Sequence, residues 1–469
     1  MQALESKVAQ LARAKRVNTK RKVIIGNVDG ESQVGEPERR DRSIVIGSSI
    51  VANRLTWLAK EGDVLVLPAP ISQEFLDYAT NLMNVKKGTV RQLTPEGASL
   101  EDVYTLTYEV LADKGLVQAL GEMMSESEQE WEVLPYYFDR AVAYISTQLP
   151  VSMNAAALDY FLQGGAEMLN SKIEFRRIGG AYDIPVAEGI NCYSRPELER
   201  ALYSLLDVTG SVILKQDYNA GGDGNIVLTL DPNRTESTGA TQTIQLASKQ
   251  EVALHAEQLW ERLTGRRNTA LVVESYHTTT AVFYSELEVK PGVLRPYLLN
   301  FGDMRMEPVW NGFQIPPMSL PPYAIGEFVS CSMQLADVAR QRGFVGKINV
   351  DGMLTASGKV LFSEVNGRLG GCTHIHVVAE HLYGANYGDH YTLLTRNKSK
   401  VGVAFNDLLD LLDAHGLLVK GPHETGVLVL TEDLERTGTI EYMVVGKGQQ
   451  HALELEQQAL DLFEGSVVR

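Results

Sequence analysis

The sequence predicts a mixed α/β and α+β protein built from several units, and three observations carry that reading. Short apolar runs alternate with helical patterns over residues 22–90, which suits an open, mostly parallel sheet. Residues 172–276 read strand, glycine loop, strand, helix, strand. Residues 343–370 read as two antiparallel strands around a tight turn. A chain of 469 residues suits about three domains.

In chain order, Leu4, Val8 and Leu11 fall at helical spacing among bases in residues 1–21. That segment reads as a surface helix, a frayed tail or a basic anchor for an anionic partner. Residues 22–26, 43–47 and 64–67 read as strands, and 49–60 and 72–85 as helices. Gly26 and Gly47 end strands, but neither sits in G-x-G-x-x-G, so strand-end turns are expected rather than a dinucleotide site. Residues 30–42 are polar and read as a loop, and 100–170 read as mainly helical, with a domain boundary near 150.

Ser194-Arg-Pro-Glu197 is a capping box that opens a helix ended by Gly210. A strand over 211–215, the loop Asn219-Ala-Gly-Gly-Asp-Gly224 and a strand over 225–230 follow. A second capping box, Ser248-Lys-Gln-Glu251, opens a helix that Gly265 stops, and 270–274 is the next strand. Strands over 345–353 and 359–366 meet at Ala356-Ser-Gly358. Residues 401–469 predict a helix, two strands and a final helix, a small α+β appendage.

The net charge is −16, yet residues 1–22 hold seven bases and one acid. The body is therefore strongly acidic, which argues against nucleic acid as partner. Cys192, Cys331 and Cys372 are scattered and odd in number, which suggests a reducing compartment. No apolar run approaches the ~18 residues of a membrane helix, and the basic N-terminus lacks the apolar core of a secretory signal. A cytoplasmic protein without membrane or nucleic-acid partners is expected.

Three features carry chemistry. Lys215 precedes a loop containing Gly221, Gly222 and Gly224, where backbone N–H groups can approach phosphate oxygens. The same residues also suit a plain hairpin turn, and no Walker A loop is present. Glu364 and Asn366 are two apart on a strand, with Asp351 across the hairpin. Such hard oxygens suit Mg²⁺ bridging phosphates, or simply a solvated face. Lys347 shares that face or flanks it. Glu274, followed by Ser275 and Tyr276, ends an apolar strand. It marks an adenine slot walled by Val272 and Val273, or a polar residue where a buried strand surfaces.

The order Lys172, Lys215 with its glycine loop, Glu274, Asp351 and Glu364-Val-Asn-Gly-Arg368 resembles the ATP-grasp superfamily of carboxylate–amine ligases. The resemblance covers roughly residues 150–400, with a mobile lid over about 180–275. The layout is similar to the pheganomycin-type peptide ligases: a pre-ATP-grasp α/β domain over 22–150, an ATP-grasp core over 151–400 and a small α+β C-terminal domain over 401–469. The resemblance implies an ATP-dependent amide bond between an amino acid or modified amino acid and the amine of an amino acid or peptide, through an acyl phosphate with release of ADP and phosphate. It implies a place in peptide natural product biosynthesis. Lys172, Lys215, Gly221, Gly222, Gly224, Glu274, Ser275 and Tyr276 would then hold ATP, and Asp351, Glu364 and Asn366 one or two Mg²⁺ ions, with Mn²⁺ as a substitute. Arg368 would bind the acyl carboxylate or the tetrahedral oxyanion, unless it is a surface arginine, and Arg305 is a second candidate. A homodimer is the assembly typical of the family.

One departure concerns the ribose. Relatives place an acid past the hinge glutamate, where this chain has His277-Thr-Thr-Thr-Ala281, with Glu286 and Glu288 further along. His374 and His376 are expected to alternate on an extended run, as pocket or packing residues rather than a zinc pair. Residues 300–322, with Trp310, form either a specificity loop or a packed connection. Competing readings are an ATP-grasp enzyme of thioester or carboxylation chemistry and a non-catalytic ATP-binding regulator.

Overall fold

A computed structural model describes residues 20–30, 42–219, 222, 224–265 and 269–467. The expected N-terminal helix, residues 31–41 and Gly221 lie outside these.

The first sheet is parallel, with order β3-β2-β1-β4 for β1 (Arg21–Ile25), β2 (Val64–Val66), β3 (Arg91–Leu93) and β4 (Trp131–Pro135). Val23, Ile24 and Ile25 are all buried, as a central strand covered on both faces requires. Residues 100–170 are mainly helical as expected, but β4 lies among them. The expected strand over 43–47 is instead part of helix Arg42–Asn53. Its β-branched run favours a strand by propensity, but the segment finds no strand to pair with. It packs as a helix on the C-terminal strands, where Arg436 donates to Ser49 Oγ at 3.3 Å.

The second sheet, β5-β9-β6-β7-β8, forms the lid from β5 (Gly189–Cys192), β6 (Ser211–Gln216), β7 (Ile226–Thr229), β8 (Gln242–Gln245) and β9 (Leu271–Ser275). Strand β8, parallel to β7, adds to the expected unit. Helices Arg195–Thr209 and Val252–Leu263 cover one face. Their capping boxes work only by half: neither serine hydroxyl caps. Glu197 instead accepts from the Tyr193 N–H at 2.7 Å, and Glu251 from the Ala247 N–H at 3.0 Å. Gly210 stops the first helix at φ +72°, a conformation costly for residues with a Cβ.

The third sheet holds eight strands: β10 (Thr279–Val289), β11 (Tyr297–Met306), β12 (Trp310–Ile315), β13 (Gly346–Thr355), β14 (Val360–Asn366), β15 (Thr392–Lys400), β16 (Gly426–Asp433) and β17 (Thr439–Gly446). Their order is β14-β13-β10-β11-β12-β15-β17-β16. The C-terminal α+β elements form as expected but do not stand apart, because β15 joins them to the central sheet through β12 and β17. Residues 297–315 are a packed hairpin of that sheet. His374 and His376 lie on helix Thr373–Tyr383, both buried, rather than on an extended run. Among the described residues, no helix is long and apolar enough to cross a membrane.

The N-terminal unit is tied to the C-terminal strands by buried polar contacts. Trp57 Nε1 donates to the Leu430 carbonyl at 2.7 Å, and Arg54 Nε meets Glu441 Oε2 at 2.7 Å. Burial raises the Glu441 carboxyl, but Arg54 and His374 outweigh it and hold it down to about 2. A depressed native carboxylate contributes stability that is complete above its ordinary pKa and lost as pH falls toward 2. Glu441→Ala leaves Arg54 buried without its counter-charge and should cost about 3–5 kcal/mol in denaturant melts at neutral pH. Between about pH 4.5 and 2 the variant should lose less stability than the parent, because the titrating carboxylate is gone.

Candidate active site

Strand periodicity places the site. Lid strand β6 turns Ile213 and Lys215 to one face, and the end of β9 does the same with Glu274 and Tyr276. On the opposite wall β13 supplies Asp351 and Met353, and β14 supplies Glu364 and Asn366. Between them lies a cavity of about 930 Å³. Lys172, Gly222, Ser275 and Arg368 also line it.

In the lid, Lys215 Nζ meets Glu274 Oε2 at 2.7 Å, and Arg176 Nη1 meets Glu274 Oε1 at 2.5 Å. Burial raises this carboxyl, but Lys215 and Arg176 outweigh it and leave it below the usual range. Arg176 was not expected, although its place four residues after Lys172 on helix Lys172–Ala181 puts both on one face. The expected adenine walls are corrected. Val273 belongs to the lid's own core and Val272 packs with Ile173 and Ala270. The apolar wall comes from Ile213, which clusters with Val227, Ala240 and Tyr276. Arg234 lies 5.0 Å over the Tyr276 ring, and the Tyr276 hydroxyl donates to the Thr238 carbonyl. His277 lines the cavity just past the hinge, with Nε2 2.7 Å from Glu188.

Lys172 links lid and floor. Its Nζ donates to the Asn219 carbonyl at 2.7 Å, where the glycine loop begins, and meets Glu364 Oε2 at 3.1 Å. Asp351 stands opposite Glu364 in the hairpin register, as the turn implied. Burial, then the neighbouring Glu364, pushes Asp351 well above the usual carboxylate range. Burial acts on Glu364 in the same direction, but Lys172, Asn366 and Arg368 outweigh it and hold it down to about 2. The two carboxyls are therefore pushed in opposite directions, Asp351 toward keeping its proton and Glu364 toward ionisation.

Among the described residues, no group of three or more His, Cys, Asp or Glu gathers as a ready metal site. Two carboxylates and the Asn366 amide oxygen nevertheless suit a hard cation that takes its other ligands from phosphates and water. Glu364 is balanced by Lys172 in the meantime.

Arg368 is fixed from several sides. Its Nη2 donates to Asn366 Oδ1 at 3.1 Å and its Nη1 to the Tyr136 hydroxyl at 3.0 Å, while its guanidinium lies 5.4 Å over the Tyr136 ring. Asn349 Nδ2 donates to the Arg368 carbonyl at 2.9 Å. A Cβ at Gly370 would meet Asn349 Oδ1 at 2.2 Å, so this close approach needs glycine. Sequence reading missed Tyr136, whose partner lies 232 residues away, and Asn349, which stands opposite Asn366 in the hairpin and could have been found by the same counting that sets Asp351 opposite Glu364.

Two other expected residues fall outside the cavity wall. Met304 and Met306 line it, so alternation turns Arg305 away. Arg305 instead grips Glu456 of helix Gln449–Val467 with both Nη atoms, at 2.6 and 3.0 Å. This overturns its candidacy as a catalytic group. Gly224 is buried against Asn219 and Gln216 rather than lining the cavity.

Family comparisons agree with this geometry. Residues 52–151 match a model of the Pre ATP-grasp domain, and residues 407–459 match a model of the PGM1 C-terminal domain. Comparison with the curated proteins finds no significant match. Similar solved structures include N5-carboxyaminoimidazole synthase from Aspergillus clavatus in complex with ADP and 5-aminoimidazole ribonucleotide. It is 12% identical with a TM-score of 0.54, covering 96% of this chain and 100% of that one. Biotin carboxylase from Campylobacter jejuni is 11% identical with a TM-score of 0.55, covering 95% and 92%. The biotin carboxylase domain of 2-oxoglutarate carboxylase from Hydrogenobacter thermophilus, solved with MgADP and bicarbonate, is 12% identical with a TM-score of 0.55, covering 94% and 89%. The chain has the ATP-grasp fold, with a pre-ATP-grasp domain ahead of the core and a C-terminal domain behind it.

Proposed function

We propose that this protein is an ATP-dependent ligase that joins a carboxylate to an amine, with amino acids or short peptides as substrates. The observation that carries this reading is one cavity in which the lid pair Lys215–Glu274 faces the cluster of Lys172, Asp351, Glu364, Asn366 and Arg368. The pre-ATP-grasp and C-terminal matches flanking the core repeat the layout of the pheganomycin-type peptide ligases.

Amide formation requires an activated carboxylate. ATP would transfer its γ-phosphoryl group to the acyl carboxylate, the amine would attack the acyl phosphate, and phosphate would leave. Phosphoryl transfer is chiefly a matter of positioning and charge neutralisation. Lys172 and Lys215 supply ammonium groups for phosphate oxygens, and Ile213 and Tyr276 wall the base. Asp351, Glu364 and Asn366 would hold Mg²⁺, which neutralises the β- and γ-oxygens when bound. Arg368, held rigid by Tyr136 and Asn366, presents its guanidinium to the acyl carboxylate or to the oxyanion formed on attack. The carboxylases of the same fold favour one second reading, bicarbonate as the activated acid. It predicts bicarbonate-dependent ADP formation.

Phosphate release with ATP, Mg²⁺ and pooled amino acids and peptides tests the proposal, with mass spectrometry on the same samples. ADP and a product mass of two substrates less water are expected; AMP and pyrophosphate would overturn the acyl-phosphate route. Glu364→Gln and Asn366→Ala should each abolish magnesium-dependent turnover while melting near the parent, and full activity at low magnesium would remove them from the metal site. Lys215→Ala should weaken ATP binding roughly tenfold or more; unchanged affinity in a nucleotide titration would sink its phosphate role. Tyr136→Phe keeps the ring beneath Arg368 but removes the hydroxyl. It should lower kcat about three- to tenfold with the KM for ATP unchanged, whereas a purely structural role would leave kcat alone.

A further inference from the structure

The cavity lining also includes a set of residues around Arg54, referred to as its second lobe, that the nucleotide and acyl chemistry leave unassigned. Helix Arg42–Asn53 and the residue after it wall one side, and strands β16 and β17 wall the other. Trp310 lines the cavity beside Gly371 and Arg54. A Cβ at Gly371 would lie 2.6 Å from its ring, and the Arg54 guanidinium is 5.4 Å from its ring centre. Arg54 is 6% exposed. Its Nε and Nη2 are spent on Glu441 and Asn397, and Nη1 makes no hydrogen bond within the described residues.

Three atoms of this lobe's lining are buried without a hydrogen-bond partner: the Trp310 Nε1, the hydroxyl of Thr431, which is 1% exposed, and Glu441 Oε1, which lies 3.5 Å from His374 Nε2. Burying a polar group without a hydrogen bond is costly, so such groups on a cavity wall point to a ligand. Indole N–H and guanidinium N–H can only donate, and a threonine hydroxyl can donate. The Glu441 charge is already matched by Arg54, and Lys398 adds a cation to the lobe wall. The Trp310 N–H, the Thr431 hydroxyl and Arg54 Nη1 are donors that suit a planar acceptor such as a carboxylate, with His374 beside Glu441 Oε1. Ile44, Val51 and Ile440 give the same lobe an apolar side.

We propose that this lobe binds the free carboxylate of the amine substrate, an α-amino acid or the C-terminal end of a short peptide, through Arg54, Trp310 and Thr431. The proposal deepens the ligase reading and rests on it. An enzyme joining two amino acids meets two carboxylates and must activate only one. Holding the acceptor's carboxylate at Arg54 keeps it from the γ-phosphate while its amine faces Arg368 and the acyl phosphate. The apolar wall then receives its side chain.

Arg54→Ala breaks the buried pair with Glu441 and endangers the fold, so the test uses Thr431→Val, which deletes a hydroxyl without a protein partner. Thermal-shift titrations of the full chain, with Mg²⁺ and a non-hydrolysable ATP analogue, use two probe pools. One pool holds the standard amino acids and short peptides; the other holds the same compounds as C-terminal primary amides, with their amines unchanged. Free acids should bind the parent roughly ten- to hundredfold more tightly than amides. Thr431→Val should weaken the acids about two- to tenfold and leave the amides unchanged. Equal binding of acids and amides, no binding of either, or an unaltered acid affinity in Thr431→Val would overturn the proposal. ADP formation by the parent is scored separately. ADP with no preference for acids removes the subsite and keeps the ligase, whereas preference for acids without ADP under any pool removes the ligase and keeps the subsite.

Discussion

The arrangement depends on one constraint: buried charge must be balanced inside a cavity that also has to accept a highly charged ligand. Glu274 and Glu364 are both at the wall, and each is met by ammonium or guanidinium groups that would otherwise address phosphate. A buried carboxylate without such a partner is pushed toward protonation, the direction in which Asp351 is shifted beside Glu364. Each lysine therefore has two roles. It neutralises a carboxylate before ATP arrives and is already placed within reach of the phosphates when it does. Little reorganisation is left for the moment of reaction, which is what electrostatic preorganisation requires.

That balance explains why three separate sheets meet at one place. Lys172 opens a helix outside the lid, yet it touches both the start of the glycine loop and the metal strand. Its ammonium therefore couples lid position to the charge state of the floor. A nucleotide that draws Lys172 to its phosphates frees Glu364 for a cation, so nucleotide and metal support one another by linkage. Arg368 is steadied in turn by Tyr136, which follows strand β4 of the N-terminal unit. On the proposed function, the N-terminal unit thus supports the chemistry by holding Arg368 in place.

The residues legible in the sequence are those whose geometry is local. Asp351 and Glu364 are joined by a tight turn, so counting along the hairpin sets them opposite each other. Lys215 and Glu274 lie on neighbouring strands separated by a readable helix, and period-two alternation gives their face. The same rule, applied one step further, would have removed Arg305 from the cavity, since it sits between Met304 and Met306, which line it. The first turns of helix Arg42–Asn53 were read as a strand because a β-branched run satisfies strand propensity, and only the C-terminal strands beneath it decide otherwise. Arg54 and Glu441 are 387 residues apart, and no local pattern announces such a pair.

The division between legible and hidden residues follows the chemistry. The proposed nucleotide and metal residues sit in short motifs on adjacent strands, whereas the proposed substrate subsite is assembled from elements distant in the chain: helix Arg42–Asn53, Trp310 on β12 and strands β16 and β17. The continuity of the eight-stranded sheet makes this possible, since it delivers the C-terminal strands rigidly to the mouth of the second lobe. On the proposed subsite, specificity can change through Thr431, Ile44 or Ile440, which lie on other elements than Lys172, Asp351 and Glu364. A catalytic half fixed by local geometry and a recognition half fixed by long-range packing is what lets one fold serve many carboxylates.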